Sequence, residues 1–431
     1  MKFINTLFLI IFIPITSSAT TLDTLSQQYI RLSLSMTPHD NSFVDAYYGP
    51  AQLQENALKS PLSLNEIKSK ALAMLTDLNQ QPLPALNSIE RLRIVYLQKQ
   101  TTAMLGRIEL LQGKKKTFDQ ESAVLYDAVA PHFERQHFET IIKQIDMLLP
   151  GSGTTVERVN AFRSQFIIPR EKLMVVFETA IQACRQQTLK HIALPEGENF
   201  TLEFVTGKVW SGYNWYKGKY QSLIQINVEL PIYIERAIDI GCHEGYPGHH
   251  TYNVLLEKNL VNDRKWLEYS VYPLFSPQSL IAEGTANYGV EMAFPEALKK
   301  SFQRDVLYPL AGINPALLDK YDELLKLTSQ LSYAGNEAAR DYIDGKMTRQ
   351  QAIDWLINVE LYPVEKAPQR VTFFDVNRSY VINYNLGKDL VKNYVEHTTR
   401  NANTETEKTE LRWQIFQQLL STPMLPENLK P

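Results

Sequence analysis

The segment Cys242–Asn253, CHEGYPGHHTYN, restricts the fold more than any other stretch of the chain. Upstream of it, Ile234, Ala237, Ile238, Gly241 and Cys242 fall at i, i+3, i+4, i+7 and i+8, the period of one helix face. A helix therefore runs into His243 and Glu244. Pro247 stops it from continuing regularly, because proline lacks an amide donor and its ring clashes with the carbonyl four residues back, here that of His243. Gly248 tolerates the conformation that results. The fold must therefore hold a kinked or bulged helix where three of the chain's eight histidines and a carboxylate crowd together.

Imidazoles and a carboxylate at this density point to a divalent metal site with its own general base. Zinc in hydrolytic sites takes three protein ligands and keeps a fourth position open. His243 is the natural first ligand and Glu244 the general base. The usual spacing, H-E-x-x-H, is broken here, since Pro247 stands where the second histidine belongs. In a straight helix His249, six residues on, points to the wrong side. His250, seven on, returns to the right face about 10 Å along the axis. A kink at Pro247-Gly248 would swing His249 inward, so His249 is the favoured second ligand and His250 the alternative. The third ligand is expected from LIAEGTANYGVE, Leu280–Glu291, where Glu283 opens a helix. Small residues at 284–286 would let that helix pack against the histidine helix, and Glu291 would orient a ligand. A His/His/Glu set suits Zn2+.

Around this segment the periodicity is mostly helical. Residues 22–36, 64–78, 86–112, 117–130, 136–148 and 170–190 read as amphipathic helices, as do 278–292, 314–330, 348–358, 379–397 and 405–420. Residues 200–206 and 221–229 alternate as strands, with Trp210–Gly218 an aromatic loop or hairpin between them. The fold class is mainly α with a small β-sheet (α+β), the metal site lying on a kinked helix next to the sheet. Residues 1–19 read as a signal peptide: Lys2, an apolar run Phe3–Ile15, then Ser17-Ser18-Ala19. Residues 20–431 then form one large domain, with a helical part at about 20–192 and a metal-site part at about 193–431. The product is exported, periplasmic or secreted, with no stable membrane insertion after cleavage. A net charge of −3 carries no electrostatic footprint for nucleic acid, and Lys114-Lys115-Lys116 reads as a solvated helix end. The two cysteines, Cys184 and Cys242, read as a buried free pair, with a disulfide the chemically permitted alternative.

HEGYPGHH with EGTANY resembles the bacterial domain-of-unknown-function 885 family, marked by HE-x-x-PGHH and a later EG-x-A-x-Y. VDAYYGP (Val44–Pro50), CRQQT (Cys184–Thr188), LPEGE (Leu194–Glu198), SGYNWYKGKYQS (Ser211–Ser222), INVELP (Ile226–Pro231) and SYVINYNLGKDLV (Ser379–Val391) are similar to its DAYYGP-containing subgroup. The resemblance covers most of the chain after residue 19. It implies a zincin-like helical metallopeptidase fold, related to the carboxypeptidase Taq and neurolysin type. It also implies a gluzincin-like third-ligand helix, in which the glutamate before the glycine, Glu283, binds zinc. One departure stands out: YIDGKMTRQQA (Tyr342–Ala352) lacks the glycine-histidine-tryptophan stretch of many members.

The implied activity is metal-dependent hydrolysis, with zinc on His243, His249 and Glu283 and with Glu244 as base. The substrate is a peptide or a small amide. The oxyanion needs a further donor. Tyr384 is the first candidate, with Tyr380 and Tyr288 behind it, while Arg378 or Arg340 would take a substrate carboxylate. Strand 221–229, read as an edge, would hold an extended peptide. The aromatics Trp210, Tyr213, Trp215 and Tyr216 would line pockets or cap the sheet. Two other readings compete: a non-catalytic exported metal- or peptide-binding protein, and a metallohydrolase of non-peptide amides or esters.

Overall fold

The computed structural model of the chain describes residues 21–85 and 88–430, so the leader expected at 1–19 lies outside the described residues. Helices dominate. The first eight are α1 (Leu22–Ser35), α2 (Ala51–Lys59), α3 (Leu64–Asn79), α4 (Ile89–Leu111), α5 (Phe118–Tyr126), α6 (Arg135–Leu148), α7 (Thr155–Arg163) and α8 (Leu173–Leu189). Around the histidines follow α9 (Glu235–Ile240), α10 (His249–Leu256) and α11 (Pro277–Ala293). The rest are α12 (Glu296–Phe302), α13 (Tyr308–Ala311), α14 (Leu318–Ser329), α15 (Ser332–Ile343), α16 (Arg349–Asn358), α17 (Ala367–Asn377), α18 (Ile382–Thr398) and α19 (Glu405–Ser421). Local chemistry fixes several starts. Ser63, Thr117 and Thr348 each accept from the third helical amide while that residue's side chain bonds back to the cap, satisfying two orphan donors at once.

The strands are β1 (Val44–Tyr47), β2 (Asn199–Val205), β3 (Gly212–Gly218), β4 (Gln221–Asn227) and β5 (Val271–Pro273). The order β2-β4-β3 corrects one expectation. Gly212–Gly218 is an antiparallel strand that forms a hairpin with β4, the hairpin alternative read from its sequence. The strand at 221–227 is central, paired parallel to β2 and antiparallel to β3, so the edge strand near the histidines is β3. Alternating burial at Ser222, Ile224 and Ile226 produces the period of two whether a strand lies at an edge or in the middle. β1 pairs antiparallel with β5, which brings the DAYYGP segment alongside the entry to α11.

Two apolar cores form, and each draws on residues from both sides of position 192. The first joins Leu25, Leu97 and Met104 to Leu280, Phe374 and Phe416. The second joins Phe138, Phe177 and Ile181 to Ile226, Ile238 and Leu324. Cys242 and Tyr246 belong to the second core, Tyr252 and Leu255 to the first. The histidine segment therefore crosses from the second core to the first.

Cys184 and Cys242 form a disulfide, which corrects the free pair expected from sequence. Their Cα atoms, 58 residues apart in the chain, stand 5.4 Å apart across α8 and the histidine segment, within bridging range. That proximity is a tertiary fact with no local signature.

Candidate metal centre

The backbone of the histidine segment departs from a regular helix in three steps. α9 widens into a π-helical turn over Gly241–Gly245, which carries His243 and Glu244. The chain then turns extended at Tyr246, with a cis Tyr246–Pro247 bond. It doubles back so tightly that a Cβ on residue 248 would lie 1.8 Å from the His243 carbonyl oxygen, an approach only glycine allows. The Gly248 amide donates to the Cys242 carbonyl at 3.0 Å, and α10 starts at His249. The result brings His249 Nε2 to 3.1 Å from His243 Nε2.

His250 points the other way, into the core. It is fully buried, with Nδ1 2.8 Å from Ser222 Oγ and Nε2 3.0 Å from Glu198 Oε2. The same Glu198 oxygen accepts from Tyr246 Oη at 2.6 Å, and Arg185 reaches the other oxygen. Burial pushes the His250 pKa down. This ring ties α10 to the sheet and has neither nitrogen free.

α11 supplies the third side chain. Glu283 Oε2 lies 3.2 Å from His243 Nε2 and 3.7 Å from His249 Nε2, while Oε1 accepts from Tyr380 Oη at 2.8 Å. Sequence placed the small residues of this helix against the histidine helix, but Gly284 faces α18 instead. A Cβ there would lie 2.4 Å from the Gly387 carbonyl oxygen. The glycine that meets the histidine segment is Gly289, where a Cβ would stand 3.0 Å from Pro247 Cγ. One turn after Glu283, Asn287 donates from Nδ2 to the Tyr384 carbonyl at 3.1 Å. That bond fixes its amide and presents Oδ1 to His243 Nδ1, also at 3.1 Å. His243 must then donate from Nδ1, which leaves Nε2 a bare lone pair.

Three acceptor atoms thus converge with separations of 3.1, 3.2 and 3.7 Å. Tetrahedral zinc with bonds of about 2.0–2.2 Å separates its ligands by about 3.3–3.5 Å, so the donor set fits zinc. Glu283 Oε2 and Glu244 Oε2 are both buried without a hydrogen-bond donor. Ligating atoms of His243, Glu244 and His249 also lie within 4.8 Å of one another, so Glu244 borders the same space. The two glutamates differ in support: Tyr380 aims the Glu283 carboxylate, whereas Glu244 is held through its backbone, whose carbonyl accepts from Asn214 Nδ2 at 2.7 Å. β3 covers it, since a Cβ on Gly212 would come within 2.9 Å of Glu244 Oε1.

The electrostatics call for positive charge. Burial would lower the His249 pKa, but Glu283, Glu244 and Asp45 outweigh it and hold it up at about 9. Burial opposes ionisation of Glu283, and the two imidazoles more than compensate, driving its carboxyl well below the usual range. Burial raises Glu244, the imidazoles only partly offsetting it. Asp45 on β1, which accepts from Tyr213 Oη, is pushed up to about 7 by burial.

The remaining candidates separate by what already occupies them. Tyr380 is spent on Glu283, and Tyr288 on Glu396 and Arg412. The Tyr384 hydroxyl carries no hydrogen bond among the described residues, and Glu283 and Glu244 both act on it electrostatically. Arg378 is paired with Glu121 at 2.7 Å, and buried Arg340 with Asp119 and Glu337, so neither is free for a substrate. Glu291 pairs with Lys388 and Lys392 and orients no histidine. The sequence assigns no role to Asn287 or Asp45, and gives Tyr213 only as a pocket-lining or sheet-capping aromatic. Asn287 had a signal, its i+4 position below Glu283; Asp45, about 200 residues away in sequence, had none.

By sequence, the chain matches no family model and no curated protein. By structure it is similar to "the putative lipoprotein from Colwellia psychrerythraea", at 14% identity and a TM-score of 0.53, covering 88% of this chain and 65% of that one. This chain thus spans about two thirds of that protein's length, and the likeness is one of fold alone. An M32 carboxypeptidase from Deinococcus radiodurans R1 aligns at 12% identity over 92% of this chain and 90% of that one, with a TM-score of 0.46, too low to carry an argument. No helix among the described residues is long and apolar enough to cross a membrane.

Proposed function

We propose that this chain is an exported zinc-dependent hydrolase of peptide bonds, with a zincin-like site. The observation that carries the reading is the convergence of His243 Nε2, His249 Nε2 and Glu283 Oε2 beside a buried, unpartnered Glu244 Oε2. These three ligands would hold zinc, which supplies Lewis acidity that activates water near neutral pH and polarises a carbonyl. Glu244 takes the proton from the attacking water at Oε2 and returns it to the leaving nitrogen. Tyr384 donates its free hydroxyl to the developing oxyanion. Asn287 and Tyr380 orient His243 and Glu283.

A peptide substrate is supported by β3, which is hydrogen-bonded on one side only and whose Gly212 end lies against Glu244. Export is supported by the disulfide, which persists in oxidising compartments, and by the leader-like first 19 residues. HEGYPGHH and EGTANY support membership of the domain-of-unknown-function 885 family. The test is metal analysis of the purified protein combined with hydrolysis of a peptide library by wild type and Glu244→Gln. One zinc per chain and cleavage abolished in Glu244→Gln are expected. Absence of zinc sinks the enzyme reading. Zinc without cleavage of any peptide leaves a binding protein or a hydrolase of other amides and esters.

A further inference from the structure

Several buried or part-buried cations of this protein are matched by carboxylates. Arg163 pairs with Glu235 at 3.1 Å, Arg185 with Glu198, Arg340 with Asp119 and Glu337, and Arg378 with Glu121. Three others, on α9 and at the start of α17, are matched weakly or not at all. The Lys366 side chain has no hydrogen bond or ion pair among the described residues. The Arg370 guanidinium has none either. It stacks over Phe373 and Phe374 at 5.1 and 5.4 Å, and its Nε is buried without an acceptor. Arg236 reaches only Asp239, at 3.9 Å, and that carboxylate is already held by Lys299 at 2.8 Å.

One of these groups lies on the helix that runs into Glu244, and the other two lie at the start of α17, beside the segment that leads into β3. Arg236 stands on α9 one turn before Ile240, and Glu244 follows in the π-helical turn. Gly212 lies over both Ile240 and Glu244, so these two side chains share a face, and the charge of Arg236 acts on Glu244. Lys366 and Arg370 stand at the first turn of α17. Gln369 between them donates to the Lys208 carbonyl at 2.7 Å, clamping this helix end to the segment that leads into β3. Phe373, on which Arg370 stacks, packs against Tyr384 with ring centroids 6.2 Å apart. Each group is felt by its neighbours. Burial, then Arg236, Arg163 and Arg370, pushes the Lys366 ammonium down to about 8. Arg370 acts on the Tyr384 hydroxyl, and Arg236 on Glu244. Glu360 is the acid nearest in influence to Arg370, but burial holds its carboxyl up at about 7, so it matches that charge only in part.

Crowded like charges with only weak or distant counter-ions disfavour the folded state and suit a place kept for an anion. We propose that Lys366, Arg370 and Arg236 form an anion subsite that receives a carboxylate of the peptide substrate, within about three residues of the scissile bond. The proposal rests on the peptidase reading above and narrows its substrate class to peptides presenting a carboxylate. The chain terminus or an acidic side chain can supply it.

The test measures binding by calorimetry to the protein carrying Glu244→Gln, so that nothing is turned over. The probes are N-acetyl-tetraalanine as free acid, the same peptide as C-terminal amide, and amidated tetrapeptides with aspartate at each position in turn. The free acid or an aspartyl amide is expected to bind about tenfold or more tighter than the neutral amide. Adding Lys366→Gln or Arg370→Gln should bring the affinities together. Lys366→Gln removes no hydrogen bond or ion pair, so it carries the test if Arg370→Gln fails to fold. A tighter free acid identifies the terminus as the source, a tighter aspartyl amide the side chain. Equal binding of all probes, or a preference that survives both substitutions, overturns the subsite and leaves the peptidase reading standing. Binding of no probe overturns both.

Discussion

Replacing Gly284 by alanine tests how the third ligand is held. In this position a Cβ would lie 2.4 Å from the Gly387 carbonyl oxygen and 2.5 Å from its carbon, both backbone atoms that no rotamer change can move. Ordinary contact needs about 3.5 Å, so α11 and α18 must part by about 1 Å. Overpacking of this kind costs about 1–3 kcal/mol. It should appear as a Tm lower by a few degrees, at about 2–4 °C per kcal/mol for a domain of 150–250 residues and less for a larger one. The same displacement acts on Glu283, one residue away, whose Oε2 stands 3.2 and 3.7 Å from the two imidazole nitrogens. A shift of that size stretches the donor triangle beyond what zinc spans, and zinc affinity should fall about 10–100-fold. Gly289→Ala, whose Cβ would meet only side-chain atoms at 3.0 and 3.3 Å, should have a smaller effect on both. The assay is a zinc competition titration against a chromophoric chelator, paired with thermal melts of the metal-free protein. A Gly284→Ala protein with unchanged melting and unchanged zinc affinity would refute the claim that the α11–α18 approach sets the ligand.

Other consequences follow from single groups. Tyr384→Phe should lower kcat about 10²–10³-fold with little change in KM or zinc content, read by steady-state kinetics, because its hydroxyl is free to meet the oxyanion; an unchanged kcat rejects that role. Cys184→Ala with Cys242→Ala releases a 58-residue loop and should cost about 4 kcal/mol on the chain-entropy account, measured by urea unfolding without reductant. A reductant should destabilise wild type and leave the double variant unmoved. Glu360 has its carboxyl raised from 4.5 to about 7 by burial, so its contribution to stability is full below 4.5 and is lost as pH rises through 7. The loss is at most about 3 kcal/mol. Glu360→Gln should flatten the stability profile between those values in denaturant titrations, and an unaltered slope counts against the assignment.

The helical parts of this chain were legible because burial follows the same period as the apolar residues. Leu25, Tyr29 and Leu32 in α1, or Ile67, Ala71, Met74 and Leu78 in α3, mark the core side directly. α5 is shorter than the 117–130 its periodicity predicts. It ends at Asp127 in a left-handed conformation, and the apolar residues beyond it, Val129 and Ala130, belong to a loop. β3 was obscured because glycine and aromatics serve strands and loops alike, and its pairing with β4 is a choice made by the sheet. At the site, residue types and a proline in the wrong place pointed to metal chemistry. The direction of each imidazole depends on the π-helical turn and on Gly248 pressed against the His243 carbonyl, which no helical wheel contains. Asn287 follows Glu283 by one turn on α11, a signal that needs the fold before it can be read. The disulfide and the Asp45 approach join segments far apart in sequence, and no local pattern records them.

The central claim concerns which atoms hold the metal, and anomalous diffraction at the zinc edge from crystals grown with zinc addresses it directly. The account predicts one strong peak within bonding distance of His243 Nε2, His249 Nε2 and Glu283 Oε2, with His250 still bonded to Ser222 and Glu198. A peak on His250, or zinc only at surface sites, would contradict it.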